Sequence, residues 1–201
     1  MSERSERMTA MPNAFDLESR VDSADTTLHG QRCAVIALGS NLGNRLDTLQ
    51  GAVDALADTP GLRIDAVSAV YETEAVGGPE EQPNYYNAVV VLRTSLPPRD
   101  LLERGNAVED AFGRVRTVHW GPRTLDVDIL AYEGVLSDDP QLVLPHPRSH
   151  ERAFVLAPWL DAQPEAEVPG HGRVDALLAA LGGPDAQGVK RREDIRLTLP
   201  E

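Results

Sequence analysis

"TLDVDILAY", residues 124–132, is the stretch on which the fold reading turns. Leu125, Val127, Ile129 and Leu130 mark a strand, and alternation sends Asp126 and Asp128 out of the face opposite the apolar one. Working back from it, "NAVVVLRT" (87–94) is another buried strand. Between the two, Pro97 and Pro98 suit the first turn of a helix whose apolar stripe is Leu101, Val108 and Phe112. Further back, "LRIDAVSAVYET" (62–73) reads as one continuous strand and "AVGGPEEQPNYY" (75–86) as a loop. "CAVIAL" (33–38) is the first strand, and "GSNLGNR" turns it into a helix that carries Leu46, Leu49, Val53 and Leu56, with Asn44 as N-cap.

That order, β-α-β-β-α-β, predicts an α+β fold: a ferredoxin-like antiparallel sheet with both helices on one face. Residues beyond the fourth strand add a loop and two short helices at the C-terminal end. Residues 1–30 are polar and aperiodic and read as a disordered tail, which leaves 31–201 as one domain.

With 41% hydrophobic and 25% charged residues the composition is that of a globular domain. No stretch approaches the ~18 apolar residues that span a bilayer, and the N-terminal segment has no secretory h-region. Cys33 stands alone, which excludes an intramolecular disulfide and suits a reducing cytoplasm. A net charge of −13 argues against a nucleic-acid surface. Yet no acid occurs from Phe112 to Leu125, where Arg114, Arg116, His119 and Arg123 fall. An acidic chain with one arginine-rich loop is suited to a small polyanion.

Asp126 and Asp128 should sit roughly 6.6 Å apart at a rise of about 3.3 Å per residue, close enough to share one or two divalent cations. Oxygen-only ligands without a His/Cys cluster suit Mg²⁺. A solvated strand face is the plainer reading of the pair, but two carboxylates in a half-buried place are costly without a cation. No Gly-x-x-x-x-Gly-Lys-Ser/Thr loop is present, so the arginines are the candidates to grip phosphate. Tyr85 and Asn87, at a loop-to-strand junction, could stack on and hydrogen-bond a flat heterocycle, although Tyr85 alone reads more readily as an ordinary, partly buried loop aromatic. Phe154 is core by default. His146 could touch phosphate or cap a turn.

"ALGSNLGNR", "YETEAVGGPEEQPNYYNAVV", "GRVRTVHWGPRTLDVDIL" and "LPHPRSHERAFVLAP" together resemble, in that order, the 6-hydroxymethyl-7,8-dihydropterin pyrophosphokinases of folate biosynthesis. The resemblance implies transfer of the pyrophosphoryl group of ATP to the pterin hydroxymethyl, with release of AMP. It implies two Mg²⁺ ions on Asp126 and Asp128, with Arg114 and Arg123 also in the catalytic set. Asn106, Glu109, Arg116, Arg123, Ile129, His146 and Arg152 would serve ATP. Thr73, Val76, Tyr85, Asn87, Trp120 and Phe154 would serve the pterin, with Trp120 closing the arginine-rich loop. The sequence departs from the family at His119, where arginine is usual, and at Ala75, where proline is frequent.

A monomer acting on two small molecules, without nucleic acid or membrane, is the expectation. Two other readings compete: a Mg²⁺-dependent nucleotidyl transferase, which releases pyrophosphate, and a ligand-binding module that consumes no ATP. Deleting residues 1–30 should leave turnover unchanged, and a steady-state assay of the truncated chain against the full chain checks it.

Overall fold

The computed structural model describes residues 30–75, 82–113 and 124–200. Val76, Arg114, Arg116, His119, Trp120, Arg123 and all but the last residue of the expected tail lie outside these segments. The chain runs through β1 (Arg32–Ser40), α1 (Arg45–Ala57), β2 (Leu62–Val67), β3 (Tyr71–Thr73), β4 (Tyr85–Thr94), α2 (Pro98–Ala111) and β5 (Asp126–Tyr132). After these come the hairpin β6 (Ser137–Asp139) and β7 (Leu142–Leu144), α3 (Ala153–Ala162), the hairpin β8 (Glu167–Val168) and β9 (Gly172–Arg173), α4 (Val174–Ala180) and β10 (Lys190–Arg191). Helix and antiparallel sheet together make this an α+β structure.

The main sheet is ordered β10-β3-β4-β1-β5, with β2 also paired to β4, and all its pairings are antiparallel. Alternation then divides the side chains between two cores. Ile36, Leu38, Val90, Leu92, Val127 and Ile129 face α1 and α2, meeting Leu49, Val53, Leu56, Leu101 and Val108. Val35, Val89 and Leu130 face the other way, against Val155, Leu156 and Trp159 of α3 and Leu178 of α4. Leu130 follows Asp126 and Asp128 onto that second face by alternation, and the β1–β5 register slip between Val35 and Ile36 lets Ala131 join it there while Tyr132 returns to the first core.

Three expectations need correcting. The strand read as continuous over 62–73 is two strands, β2 and β3. At the break the Ser68 hydroxyl accepts from Val89 N–H at 2.9 Å, and Ala69 N–H turns out to the Asp161 carboxylate of α3 at 2.7 Å. Side-chain acceptors there replace a stretch of ladder. Helices cover both faces of the sheet, because the apolar stripe of α3 finds its partner surface opposite α1 and α2. Tyr85 and Tyr86, read as loop, open β4.

Other readings hold. Asn44 caps α1, its side chain accepting from Asp47 N–H at 3.4 Å, and Pro98 occupies the first position of α2 with Pro97 as its cap residue. Gly51 lets α2 close on α1: a Cβ there would stand 2.5 Å from the Phe112 ring.

Leu92 and Leu156, both 0% exposed, anchor one core each. Truncating either to alanine should cost about 2–5 kcal/mol through lost burial plus the cavity left behind. Urea unfolding followed by circular dichroism should show both as equal-sided shifts of a single transition.

Candidate active site

β5 enters the sheet at its edge, beside β1, so one flank of its backbone needs another partner. Glu109 of α2 supplies it. Its carboxylate, in a side chain only 1% exposed, accepts the Val127 N–H at 2.8 Å. The peptide between the two aspartates is therefore pinned from the helix side. Gly105, one turn earlier on α2, lets the helix approach, since a Cβ there would lie 3.2 Å from Val127 Cγ1. With Val127 and Ile129 held in the core, Asp126 and Asp128 emerge half-buried on the opposite face.

There they line a cleft of about 730 Å³. Its floor is the strip of sheet that α3 leaves uncovered. Asp126 stands opposite Gly39 of β1 and Asp128 opposite Ala37, so no bulky neighbour crowds the carboxylates. A Cβ on Gly39 would lie 3.6 Å from Asn87 Oδ1, 3.9 Å from Asp126 Cβ and 3.9 Å from the Tyr85 ring. Gly39 is thus the bare ground between an acidic wall and an amide-aromatic wall.

On the second wall, Asn87 is 7% exposed, and its Nδ2 donates to Thr73 Oγ1 at 3.0 Å and to Tyr71 C=O at 3.3 Å. Those bonds orient the amide across β3 and β4. Tyr85 and Phe154 line the same cleft. The third wall comes from the loop before α3. His146 N–H donates to Leu130 C=O at 2.8 Å, tying that loop to β5. Its Nδ1 accepts from Arg148 N–H at 3.2 Å. Arg148 and Arg152 both line the cleft, and the Arg152 guanidinium lies 5.5 Å from the centre of the Phe154 ring.

Electrostatics link the walls. Burial pushes the Arg152 pKa below the ordinary guanidinium value and Arg148 adds to that, while Asp128 and Asp126 oppose it. Burial likewise lowers the pKa of His146, with Arg152 reinforcing and Asp126 opposing. The same few groups feel one another across the cleft. Two carboxylates facing two guanidiniums over an open volume form a site for an anion that brings its own cation.

Of the residues named from sequence, the cleft gathers Asp126, Asp128, Thr73, Tyr85, Asn87, His146, Arg152 and Phe154. It does not gather three others. Glu109 sits behind β5 as a backbone anchor, Ile129 has its side chain in the core under α2, and Asn106 is exposed on α2. The family resemblance brought Glu109 and Asn106 to the site but could not say on which side of β5 they stand. The reading missed Glu74, Arg148, Glu151 and Gln187, which also line the cleft. Arg148 and Glu151 lay in a proline-bracketed charged loop, a usable signal. Gln187 gave none.

The fit to Mg²⁺ rests on this donor set. Among the described residues no group of three or more His, Cys, Asp or Glu could hold a metal. An oxygen-only pair beside a cavity suits a cation that keeps water and takes its remaining ligands from phosphate.

A sequence model of the 7,8-dihydro-6-hydroxymethylpterin-pyrophosphokinase (HPPK) family matches residues 35–164. The chain is 44% identical over 160 residues to the 2-amino-4-hydroxy-6-hydroxymethyldihydropteridine pyrophosphokinase of Methylorubrum extorquens, covering 80% of this chain and 98% of the relative. It is 44% identical over 156 residues to the enzyme of the same name from Pseudomonas aeruginosa, covering 78% and 94%. Among solved structures, wild-type Plasmodium falciparum HPPK-DHPS with pteroate superposes with a TM-score of 0.58 at 15% identity, over 77% of this chain and 43% of that one. An HPPK-DHPS in complex with substrates gives 0.60 at 13% identity, over 82% and 46%. This chain spans less than half the length of either solved chain, and the likeness to them is one of fold.

His146 gives a test in solution. Its folded pKa lies below the 6.5 of an unfolded histidine, so the unfolded chain binds the proton more readily. The folded state should therefore lose stability as pH drops below about 6.5, and His146→Gln should lose less. Urea midpoints of both proteins at pH 7.5 and about 5.5 give the comparison.

Proposed function

The chain belongs to the 7,8-dihydro-6-hydroxymethylpterin-pyrophosphokinase family, and on that premise we propose which of its residues carry each part of the reaction. The protein transfers the pyrophosphoryl group of ATP to the hydroxymethyl group of 6-hydroxymethyl-7,8-dihydropterin, a step of folate biosynthesis. The hydroxymethyl oxygen bonds to the β-phosphorus, the bond to the oxygen shared with the α-phosphorus breaks, and AMP and a proton leave.

One observation carries the assignment of roles: Asp126 and Asp128 share a single cleft with Asn87, Tyr85 and Phe154, and Gly39 stands between Asp126 and the Asn87 and Tyr85 side chains. The amide of Asn87, fixed by Thr73, takes the polar edge of the pterin, and Tyr85 and Phe154 take its faces. Thr73 contributes from β3, and Val76 from the segment after it. Asp126 and Asp128 would hold two Mg²⁺ ions, which would neutralise the triphosphate and the charge that builds on the attacking and leaving oxygens. Arg152 and His146 contact ATP from the loop before α3. Burial favours the neutral form of His146, and with Nδ1 accepting from Arg148 N–H its Nε2–H is left to donate one hydrogen bond.

By family likeness Arg114, Arg116 and Arg123 are assigned to the grip on phosphate and Trp120 to the pterin. Asn106 and Ile129 are assigned to ATP by family likeness, Ile129 through its backbone. Glu109 acts from behind, by fixing the Val127 peptide so that both aspartates keep their aim. The frame for all this is the ferredoxin-like βαββαβ unit, within a domain of residues 31–201 that works as a cytoplasmic monomer. No helix among the described residues is long and apolar enough to cross a membrane.

Incubation with ATP, Mg²⁺ and the pterin should yield AMP in step with pterin pyrophosphate. Asp126→Ala should lose about a hundredfold or more of that rate, since metal stabilisation is worth several kcal/mol. Pyrophosphate as the product would instead point to a nucleotidyl transferase.

A further inference from the structure

The family match ends at residue 164, yet the chain beyond it returns to the cleft. After α4, Gly183 N–H bonds to Leu178 C=O at 3.0 Å, and Pro184 C=O accepts from Gln187 and Val189 N–H at 3.1 Å. Gly188 turns the chain with a φ of +67°, and Val189, 2% exposed, seats the turn in the second core. β10 then pairs with β3, the strand that carries Thr73. This short turn is held at both ends, and the side chain it presents is Gln187.

The Gln187 amide makes two bonds. Its Oε1 accepts from Ala153 N–H at 2.8 Å, and its Nε2 donates to Glu151 C=O at 3.3 Å. Those groups belong to the peptide units on either side of Arg152. Arg152 is the cap residue of α3 and makes no side-chain capping bond, so the first N–H of the helix takes its partner from 34 residues away. Arg152 itself is extended, at φ −119° and ψ 108°, and its carbonyl accepts from Val155 and Leu156 N–H at 3.0 Å. A clamp on both flanking peptides fixes the direction in which its side chain leaves the backbone, and it also fixes Phe154 one residue into the helix.

We propose that Gln187 is a positioning residue for pyrophosphoryl transfer: by holding the peptides around Arg152 it aims that guanidinium at the triphosphate, so the segment after the family match completes the ATP half of the site. The inference rests on the assignment of Arg152 to ATP. Gln187 is exposed, so replacing it opens no cavity in either core.

The experiment uses the full chain and steady-state kinetics of Gln187→Met, Gln187→Glu, Arg152→Ala and the Gln187→Met/Arg152→Ala double variant. Methionine keeps the volume and removes both bonds. It should raise the KM for ATP roughly three- to tenfold, the scale of one or two exposed hydrogen bonds, with the KM for the pterin moving less than twofold. Glutamate keeps the acceptor for Ala153 N–H and should recover most of the loss. In the double variant, Gln187→Met should add nothing to Arg152→Ala, because the residue acts through that arginine. A wild-type KM for ATP in Gln187→Met, or full additivity in the double variant, overturns the proposal while leaving the role of Arg152 intact. An Arg152→Ala enzyme with unchanged KM for ATP overturns the ATP assignment and this inference with it.

Discussion

A strand cannot bury one set of side chains without exposing the alternate set, and β5 turns that constraint into a site. Leu125, Val127 and Ile129 go under α2, so Asp126 and Asp128 must leave by the other face. The arrangement needs β5 to be rotationally fixed, and two contacts fix it. One is the ladder to β1, in which Gly39 and Ala37 stand opposite the aspartates. The other is the buried Glu109 carboxylate on the Val127 N–H, which closes the outer edge of the strand between them. Losing either would let the carboxylates turn, because a one-residue slip exchanges the two faces of a strand.

The second core decides how much of that face stays open. α3 packs over Val35, Val89 and Leu130 and stops short of Gly39, Asn87 and Asp126. The start of α3 therefore forms a wall of the cleft rather than a lid on it. The loop before it brings His146, Arg148 and Arg152 to face the carboxylates. Charge in this chain is otherwise dominated by acids, with a net of −13, so a patch holding two arginines and a histidine is a local exception. On the proposed reading a cation would answer the aspartates and the phosphates would answer the guanidiniums.

Much of the frame was legible in the residues. Periodicity placed β1, α1, α2 and β5, and Asn44 and Pro98 marked the helix starts, because caps and alternation are local consequences of backbone geometry. The split of 62–73 into β2 and β3 was hidden, since Ala69 N–H takes its acceptor from Asp161, 92 residues on. The coverage of both sheet faces was hidden for a related reason: an apolar stripe on α3 says that it packs, not against which surface.

The sequence by itself determined that two carboxylates leave one face of a strand, that Tyr85 and Asn87 stand at a strand entrance, and which family pattern they fit. Each follows from residue order and the two-residue period of a strand. Only the tertiary structure decided that Asn87 is set by Thr73, that Glu109 stands behind the aspartates rather than beside them, and that Gln187 clamps the backbone of Arg152. Those contacts join residues 14, 18 and 34 positions apart, and no local pattern encodes a hydrogen bond whose partner is chosen by how separate elements pack.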